Sequence, residues 1–190
     1  LEWAEGVEDP EERKSLLHLV VVGANYTGVE VAGEFLAFMR TAAKKFSNLT
    51  PDDCRATLFE LSGRILPTLD ERLAAYAARE ITRHGTTIRL EETLSRIEAD
   101  HCITRSGERI DSNTVIWCAG IAPPPLLAAS GLPVDRAGYL RCERDFRVVD
   151  HDNLWAIGDC AANPDAVGKP YPPTAQNAVR MGPHLAANLV

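Results

Sequence analysis

The sequence predicts an α/β fold: a doubly wound, Rossmann-like parallel sheet with an antiparallel three-stranded meander as an insert. Three observations carry that reading. An apolar, β-branched run, His18–Val22, leads through a glycine-bounded turn at residues 23–28 into a long amphipathic segment. Strand-like and helix-like segments then alternate as far as Leu90. Short alternating segments follow through Ile110, with Ser106-Gly107 marking a tight turn.

Taken in order, Asp9-Pro10-Glu11-Glu12 offers an N-cap, a first-turn proline and a glutamate at the third helical position. A short helix therefore runs through Leu17, and the residues before it read as the tail of another helix. After the His18–Val22 strand, residues 29–46 form a helix with Lys44 and Lys45 in its last turn, where cations suit the helix dipole. A polar loop, 47–53, leads to a strand at Arg55–Glu60. Residues 70–84 form a helix stopped by Gly85, and Thr86–Leu90 is the next strand. Residues 114–118 and 154–157 read as further short buried strands. Residues 173–190 are helical in pattern, with Leu185, Leu189 and Val190 on an apolar stripe that no Gly or Asn terminates. Both ends thus read as cuts from a longer chain.

Composition excludes several classes. The 190 residues are 45% hydrophobic and 25% charged, which is ordinary for a globular protein and unlike a disordered tail or a fibre. Lys and Arg number 20 against 27 Asp and Glu, a net charge of −7 that repels phosphate backbones and argues against a nucleic-acid partner. The five cysteines, Cys54, Cys102, Cys118, Cys142 and Cys160, form no C-x-x-C pair, which points to reduced thiols and a cytoplasmic setting. The acidic opening, Leu1-Glu2-Trp3-Ala4-Glu5, is not a signal peptide, and no apolar run approaches the ~18 residues of a membrane span. The five histidines lack ligand spacing, so no metal site is expected. Asp150-His151-Asp152 reads as a solvated turn.

The turn at 23–28 is the most informative segment. Gly23 permits the sharp exit from the strand, Gly28 lets the helix pack close to it, and free N–H groups at the helix start face a pyrophosphate. Asn25 stands where the glycine fingerprint has its second Gly; Asn tolerates positive φ, and its side chain either crowds the pyrophosphate or adds a hydrogen bond. Tyr26 either stacks on a cofactor or covers the turn. Glu60 ends the next strand, where a carboxylate accepts from a ribose 2′-OH and repels a 2′-phosphate, favouring NADH over NADPH. Arg64 nearby is placed to receive such a phosphate. A plain connecting turn and a solvated carboxylate are the competing readings.

Several segments together resemble one family. Gly23-x-Asn25-x-Thr27-Gly28-Val29-Glu30 with Ala32-Gly33-Glu34, Thr57-Leu58-Phe59-Glu60, Ile65-Leu66-Pro67, the stretch from Thr114 to Gly120, Leu154-Trp155-Ala156-Ile157-Gly158-Asp159-Cys160-Ala161 and Pro173-Thr174-Ala175-Gln176 are similar to type II NADH dehydrogenases. The wider group is the FAD-dependent pyridine nucleotide-disulfide oxidoreductases. The resemblance implies a lead-in at 1–17, an NAD-binding domain at 18–142 and the returning part of an FAD-binding domain at 143–190, with the first FAD-binding fold and a membrane-seated C-terminal segment lying outside this chain. Ala119-Gly120, at a strand's end, leave room for a dinucleotide. Gly158 lets backbone approach a cofactor, Asp159 accepts from a ribityl hydroxyl, and the amides near Thr174, Ala175 and Gln176 contact a flavin ring edge.

The activity so implied is hydride transfer from NADH to FAD and on to a quinone. Glu30 resembles the family glutamate near the nicotinamide, though a helix-start glutamate favoured by the dipole looks the same. The partners implied are NADH, a quinone or other electron acceptor, a second copy of the chain, and the cytoplasmic face of a membrane to which the parent attaches peripherally. Arg180-Met181-Gly182 departs from the Gln pair that type II enzymes carry before this glycine, which puts the quinone in question. The lack of a C-x-x-C pair argues against the disulfide-reductase branch. Two rival readings are a nucleotide-binding or regulatory module without redox activity and an NADH-dependent reductase of a protein acceptor such as ferredoxin.

Overall fold

The computed structural model describes residues 1–189, which pack as two units, Leu1–Gly120 and the residues from Ile121 onward. The packing boundary falls after Gly120, so residues 121–142 pack with the second unit, earlier than the domain limit at 142 that the resemblance implies.

In the first unit, helices α1 (Glu2–Gly6) and α2 (Pro10–Leu16) lead into strand β1 (His18–Val22). Asp9 caps α2, its carboxylate accepting from the Glu11 amide at 3.0 Å. All five residues of β1 are buried, the pattern of a strand covered on both faces. Helix α3 (Tyr26–Ala43), β2 (Arg55–Glu60), α4 (Glu71–Arg83) and β3 (Thr86–Leu90) follow. The meander strands are β4 (Leu94–Ile97), β5 (His101–Thr104) and β6 (Arg109–Asp111), after which β7 (Thr114–Trp117) returns to the parallel sheet. That sheet has the order β3-β2-β1-β7, all parallel, and the antiparallel meander has the order β4-β5-β6.

Alternation along β1 divides the core. Leu19 and Val21 face α3 and α4, packing with Ala56, Leu58 and with Ala32, Leu36, Met39 and Ala43 at helical spacing. Val20 and Val22 face the meander, packing with Phe59, Leu94 and Cys102. The helices therefore cover one face of the sheet and the meander the other. Each fully buried Leu or Val on either face contributes about 1.5–3 kcal/mol.

The second unit holds α5 (Leu126–Ala129), a two-residue strand pair, β8 (Leu140–Arg141) with β9 (Ala161–Ala162), and α6 (Ala175–Asn188). Its core joins Leu140, Cys142, Val148, Ala156 and Ala161. Residues 154–157 are not the strand the sequence predicts. They make one isolated antiparallel bridge, Arg147 with Trp155, where Val148 N donates to the Leu154 carbonyl at 2.8 Å and Ala156 N to the Phe146 carbonyl at 3.0 Å, and the pairing extends no further into a ladder. No helix among the described residues is long and apolar enough to cross a membrane.

A cleft at the carboxyl edge of the parallel sheet

The parallel register brings three strand ends to one edge. Val22 is level with Phe59 on β2 and with Trp117 on β7, so Gly23, Glu60 and the Cys118–Gly120 turn emerge side by side. Two backbone bonds fasten them: Gly23 N donates to the Phe59 carbonyl at 2.8 Å, and Cys118 N to the Val22 carbonyl at 2.7 Å. The chain leaves β1 towards β2 on one side and reaches β7 on the other, which makes this a topological switch point, where open α/β sheets bind ligands. A cleft of about 240 Å³ lies there, lined by Gly23, Asn25, Glu60, Leu61, Pro67 and Gly120 among others.

Both turn glycines are required by geometry. Gly23 has φ +95°, and a Cβ there would stand 2.7 Å from Ala119 Cα and N. A Cβ on Gly28 would collide with the Gly23 carbonyl oxygen. Asn25 departs from expectation. Its φ is −73° with extended ψ, so the position demands no left-handed backbone and no glycine. Its side chain caps α3, Oδ1 accepting from Gly28 N at 2.9 Å, while Nδ2 donates to the Cys118 carbonyl at 2.7 Å. The cap starts α3 at Tyr26, three residues before the predicted start.

With Gly28 N satisfied by Asn25 Oδ1 and Val29 N by the Asn25 carbonyl, the amides of Asn25, Tyr26 and Thr27 make no hydrogen bond among the described residues. An 18-residue helix thus presents unpaired N–H groups and its positive dipole end to the cleft.

Glu60 sits within reach of the same turn. Its Oε2 accepts from Ala24 N at 2.7 Å, and its Oε1 accepts from Ser62 N and lies 2.9 Å from Ser62 Oγ. Arg64 does not point a free guanidinium at the cleft: it donates to the Leu69 and Pro67 carbonyls at 3.1 and 2.6 Å. The loop between β2 and α4 is further tied by Leu66, whose N–H donates to the Ala24 carbonyl at 2.8 Å from a left-handed backbone, φ +49°. Tyr26 and Thr27 are exposed in the first turn of α3; so is Glu30, which does not line the cleft. Sequence reasoning missed Ser62, Leu61 and Thr93, and named Leu66 and Pro67 only as part of a resemblance, not as site residues. Only Ser62 carried a readable signal, a hydroxyl two residues after a strand-terminal glutamate.

In the second unit, Gly158 has φ +74° and opens a 3-10 turn, Gly158–Cys160. Asp159 is exposed and makes no hydrogen bond or ion pair among the described residues. Helix α6 packs on this turn: a Cβ on Gly158 would meet Ala178 Cβ at 3.7 Å, and Gly158 N donates to Met181 Sδ at 3.5 Å. Thr174 caps α6, accepting from Asn177 N at 3.3 Å, which leaves the amides of Ala175 and Gln176 free among the described residues. An unpartnered carboxylate on this turn and unpaired amides at the start of the helix that packs on it are donors and acceptors of the kind that part of a flavin dinucleotide needs. Burial pushes the Cys142 thiol up to about 11 and raises Cys54, Cys102 and Cys118, which keeps these four protonated.

Fold and cleft define a protein of the dinucleotide-binding α/β class. The chain belongs to the pyridine nucleotide-disulphide oxidoreductase family, whose family model matches residues 2–182. It is 31% identical over 177 residues to a probable NADH dehydrogenase of Dictyostelium discoideum and 32% identical over 189 residues to the type II NADH:quinone oxidoreductase NdhA of Mycobacterium tuberculosis. Those matches cover 93% and 94% of this chain but 39% of each relative, so the chain spans about two fifths of their length. Among solved structures, NDH2 of Plasmodium falciparum in complex with NADH superposes with a TM-score of 0.73 at 22% identity, covering 84% of this chain and 34% of that one. A ferredoxin reductase of Rhodopseudomonas palustris reaches the same TM-score and identity, covering 90% and 41%. At that identity both likenesses speak for the fold.

Proposed function

We propose that this chain is the NADH-binding portion, with part of the FAD-binding portion, of an NADH dehydrogenase that passes hydride from NADH to FAD and on to a quinone. The observation that carries the reading is the convergence at one sheet edge of three unpaired helix-start amides with the Glu60 carboxylate. The amides of Asn25, Tyr26 and Thr27 hold the pyrophosphate, and Gly23, Ala119 and Gly120 admit it without a side chain larger than methyl in the way. Glu60 accepts from the adenosine ribose and disfavours a 2′-phosphate. Arg64 keeps its charge but spends Nη1 and Nη2 on two carbonyls, so its fork is not aimed at that phosphate. Glu30, one turn into α3, lies towards the nicotinamide end.

In the second unit, Gly158 and Asp159 with the amides of Ala175 and Gln176, behind the Thr174 cap, hold part of the flavin. FAD, when bound, supplies a two-electron carrier between nicotinamide and quinone. Sequence relatives named as NADH dehydrogenases and NADH:quinone oxidoreductases support the reading. So does the spacing of the five free cysteines, which form no C-x-x-C pair of the kind a disulfide reductase uses. A protein acceptor such as ferredoxin is the second reading, favoured by Arg180 and Met181 in place of the family's Gln pair. Peripheral attachment to a membrane and pairing with a second copy belong to the parent enzyme.

The direct test is a titration of the chain with NADH and NADPH, followed by nicotinamide fluorescence, with a visible spectrum for flavin. Saturable, NADH-preferring binding is expected; no binding of either nucleotide overturns the reading. Steady-state assays of the flavin-loaded parent with a quinone and with ferredoxin then assign the acceptor.

A further inference from the structure

Glu60 is not simply a carboxylate at a strand end. Two polar groups of the following loop and one of the glycine turn hold it from two sides. On one side its Oε2 accepts from Ala24 N at 2.7 Å, while the Ala24 carbonyl accepts from Leu66 N at 2.8 Å. On the other, Oε1 lies 2.9 Å from both Ser62 N and Ser62 Oγ. The hydroxyl also stands 2.8 Å from the Arg64 carbonyl. It has one proton to give, and a carboxylate is the stronger acceptor, so the proton belongs to Glu60. Ser62 thus holds Oε1 through both its amide and its hydroxyl, in a loop that Arg64 ties through the Pro67 and Leu69 carbonyls.

We propose that Ser62 is a positioning residue for nicotinamide-cofactor selection: its hydroxyl fixes the Glu60 carboxylate where a ribose 2′-OH is accepted and a 2′-phosphate is repelled. The proposal deepens the proposed function and rests on its reading of Glu60. A carboxylate with three fixed donors is oriented before ligand arrives and keeps its remaining lone pair, one of about four, for the ribose. Without the hydroxyl, Oε1 keeps only the Ser62 amide and Oε2 only the Ala24 amide, so the carboxylate is held less tightly, aligns less well with a 2′-OH and yields more readily to an incoming phosphate. The two effects work in opposite directions on the two cofactors, which a loss of folding does not do.

The experiment measures dissociation constants for NADH and NADPH by nicotinamide fluorescence on the wild-type chain and on Ser62→Ala, Ser62→Cys, Ser62→Thr and Glu60→Ala, with thermal melting of each. The expected result for Ser62→Ala is NADH binding weakened about fivefold with NADPH unchanged or tightened, so the preference narrows. Ser62→Cys, near in shape and a poor donor, matches it if the alanine variant folds badly. Ser62→Thr, which keeps the hydroxyl, restores the wild-type ratio. Equal weakening of both cofactors in Ser62→Ala and Ser62→Cys, or no change in either, overturns the proposal while a collapsed preference in Glu60→Ala leaves the reading of Glu60 standing. An unchanged preference in Glu60→Ala overturns that reading and the proposal with it.

Discussion

Asn25 shows how one residue replaces a fingerprint glycine without copying its conformation. The backbone stays extended, and the side chain supplies the first hydrogen bond of α3 together with a tie to β7 through the Cys118 carbonyl. Replacing it with alanine removes both, and the lost cap alone costs about 1 kcal/mol. A chain of this size then melts roughly 2–4 °C lower, which calorimetry reads directly. Gly28 is less forgiving, because a methyl group there meets the Gly23 carbonyl and nothing flexible can yield. Gly28→Ala is expected to lose about 3 kcal/mol of stability and saturable NADH binding, checked by urea unfolding and titration. Arg64 separates two uses of one cation. Arg64→Ala is expected to weaken NADH binding a few-fold by loosening the loop and to leave NADPH no weaker; a specific loss of NADPH would make it the phosphate receiver that the sequence allows.

At the scale of elements, the sheet edge is built by register and the helix layer by small residues. Helix α4 is capped by Asp70, whose carboxylate accepts from Arg72 N and Leu73 N at 3.0 and 3.3 Å, and ends before Gly85 at φ +96°. Gly85 has a second role that no local pattern reveals. The Arg40 guanidinium of α3 occupies the space its Cβ would need, 2.5 Å from Nη2, and donates to the His84 carbonyl at the end of α4. A cation at a helix C-terminus is favourable, and here it also ties α3 to α4. Gly85→Ala therefore combines left-handed strain with displacement of Arg40, for an expected loss of about 2 kcal/mol. In an Arg40→Ala background the same change should cost measurably less, and a double-mutant cycle in urea checks the coupling.

Across the whole first unit, a buried histidine links the parallel sheet to the meander. His18, at the start of β1, lies 2.8 Å from Thr57 Oγ1 on β2 through Nε2 and 2.9 Å from the Asp111 carbonyl at the end of β6 through Nδ1. Ser112 Oγ donates to the His18 carbonyl at 2.6 Å. Since a carbonyl only accepts, Nδ1 carries the proton of the neutral ring and Nε2 accepts from Thr57. Burial, the largest influence, holds the His18 pKa below its ordinary 6.5, with Arg55 adding to the effect and Asp111 opposing it. The unfolded chain thus binds the proton more readily than the folded one. Stability is fully present above pH 6.5 and is lost as pH falls from there through the folded value. Unfolding free energy should be lower at pH 5.5 than at 7.5 in the wild type, and the difference should shrink in His18→Gln, as urea titrations at both pH values would show.

The sequence by itself determined the order of the elements, the parallel sheet with its meander, and the glycine turn with Glu60 at the following strand end. These rest on short-range rules: a buried strand, a turn that only glycine can make, a capped helix, and alternation around Ser106-Gly107. Tertiary structure decided what those residues touch. Hydrogen bonds with partners close in sequence, such as the Asp9 cap, are written into local pattern, whereas Asn25 with Cys118, Glu60 with Ala24 and Arg40 with His84 join positions 93, 36 and 44 residues apart. Residues 154–157 had the composition of a strand, yet their pairing with 146–148 stops at a single bridge, and composition does not show how far a pairing extends. Arg64 was legible as a cation beside a cleft; only the packed loop shows that two carbonyls already hold it. A residue's chemistry is fixed by its side chain, but its use is fixed by which groups long-range packing brings within 3 Å of it.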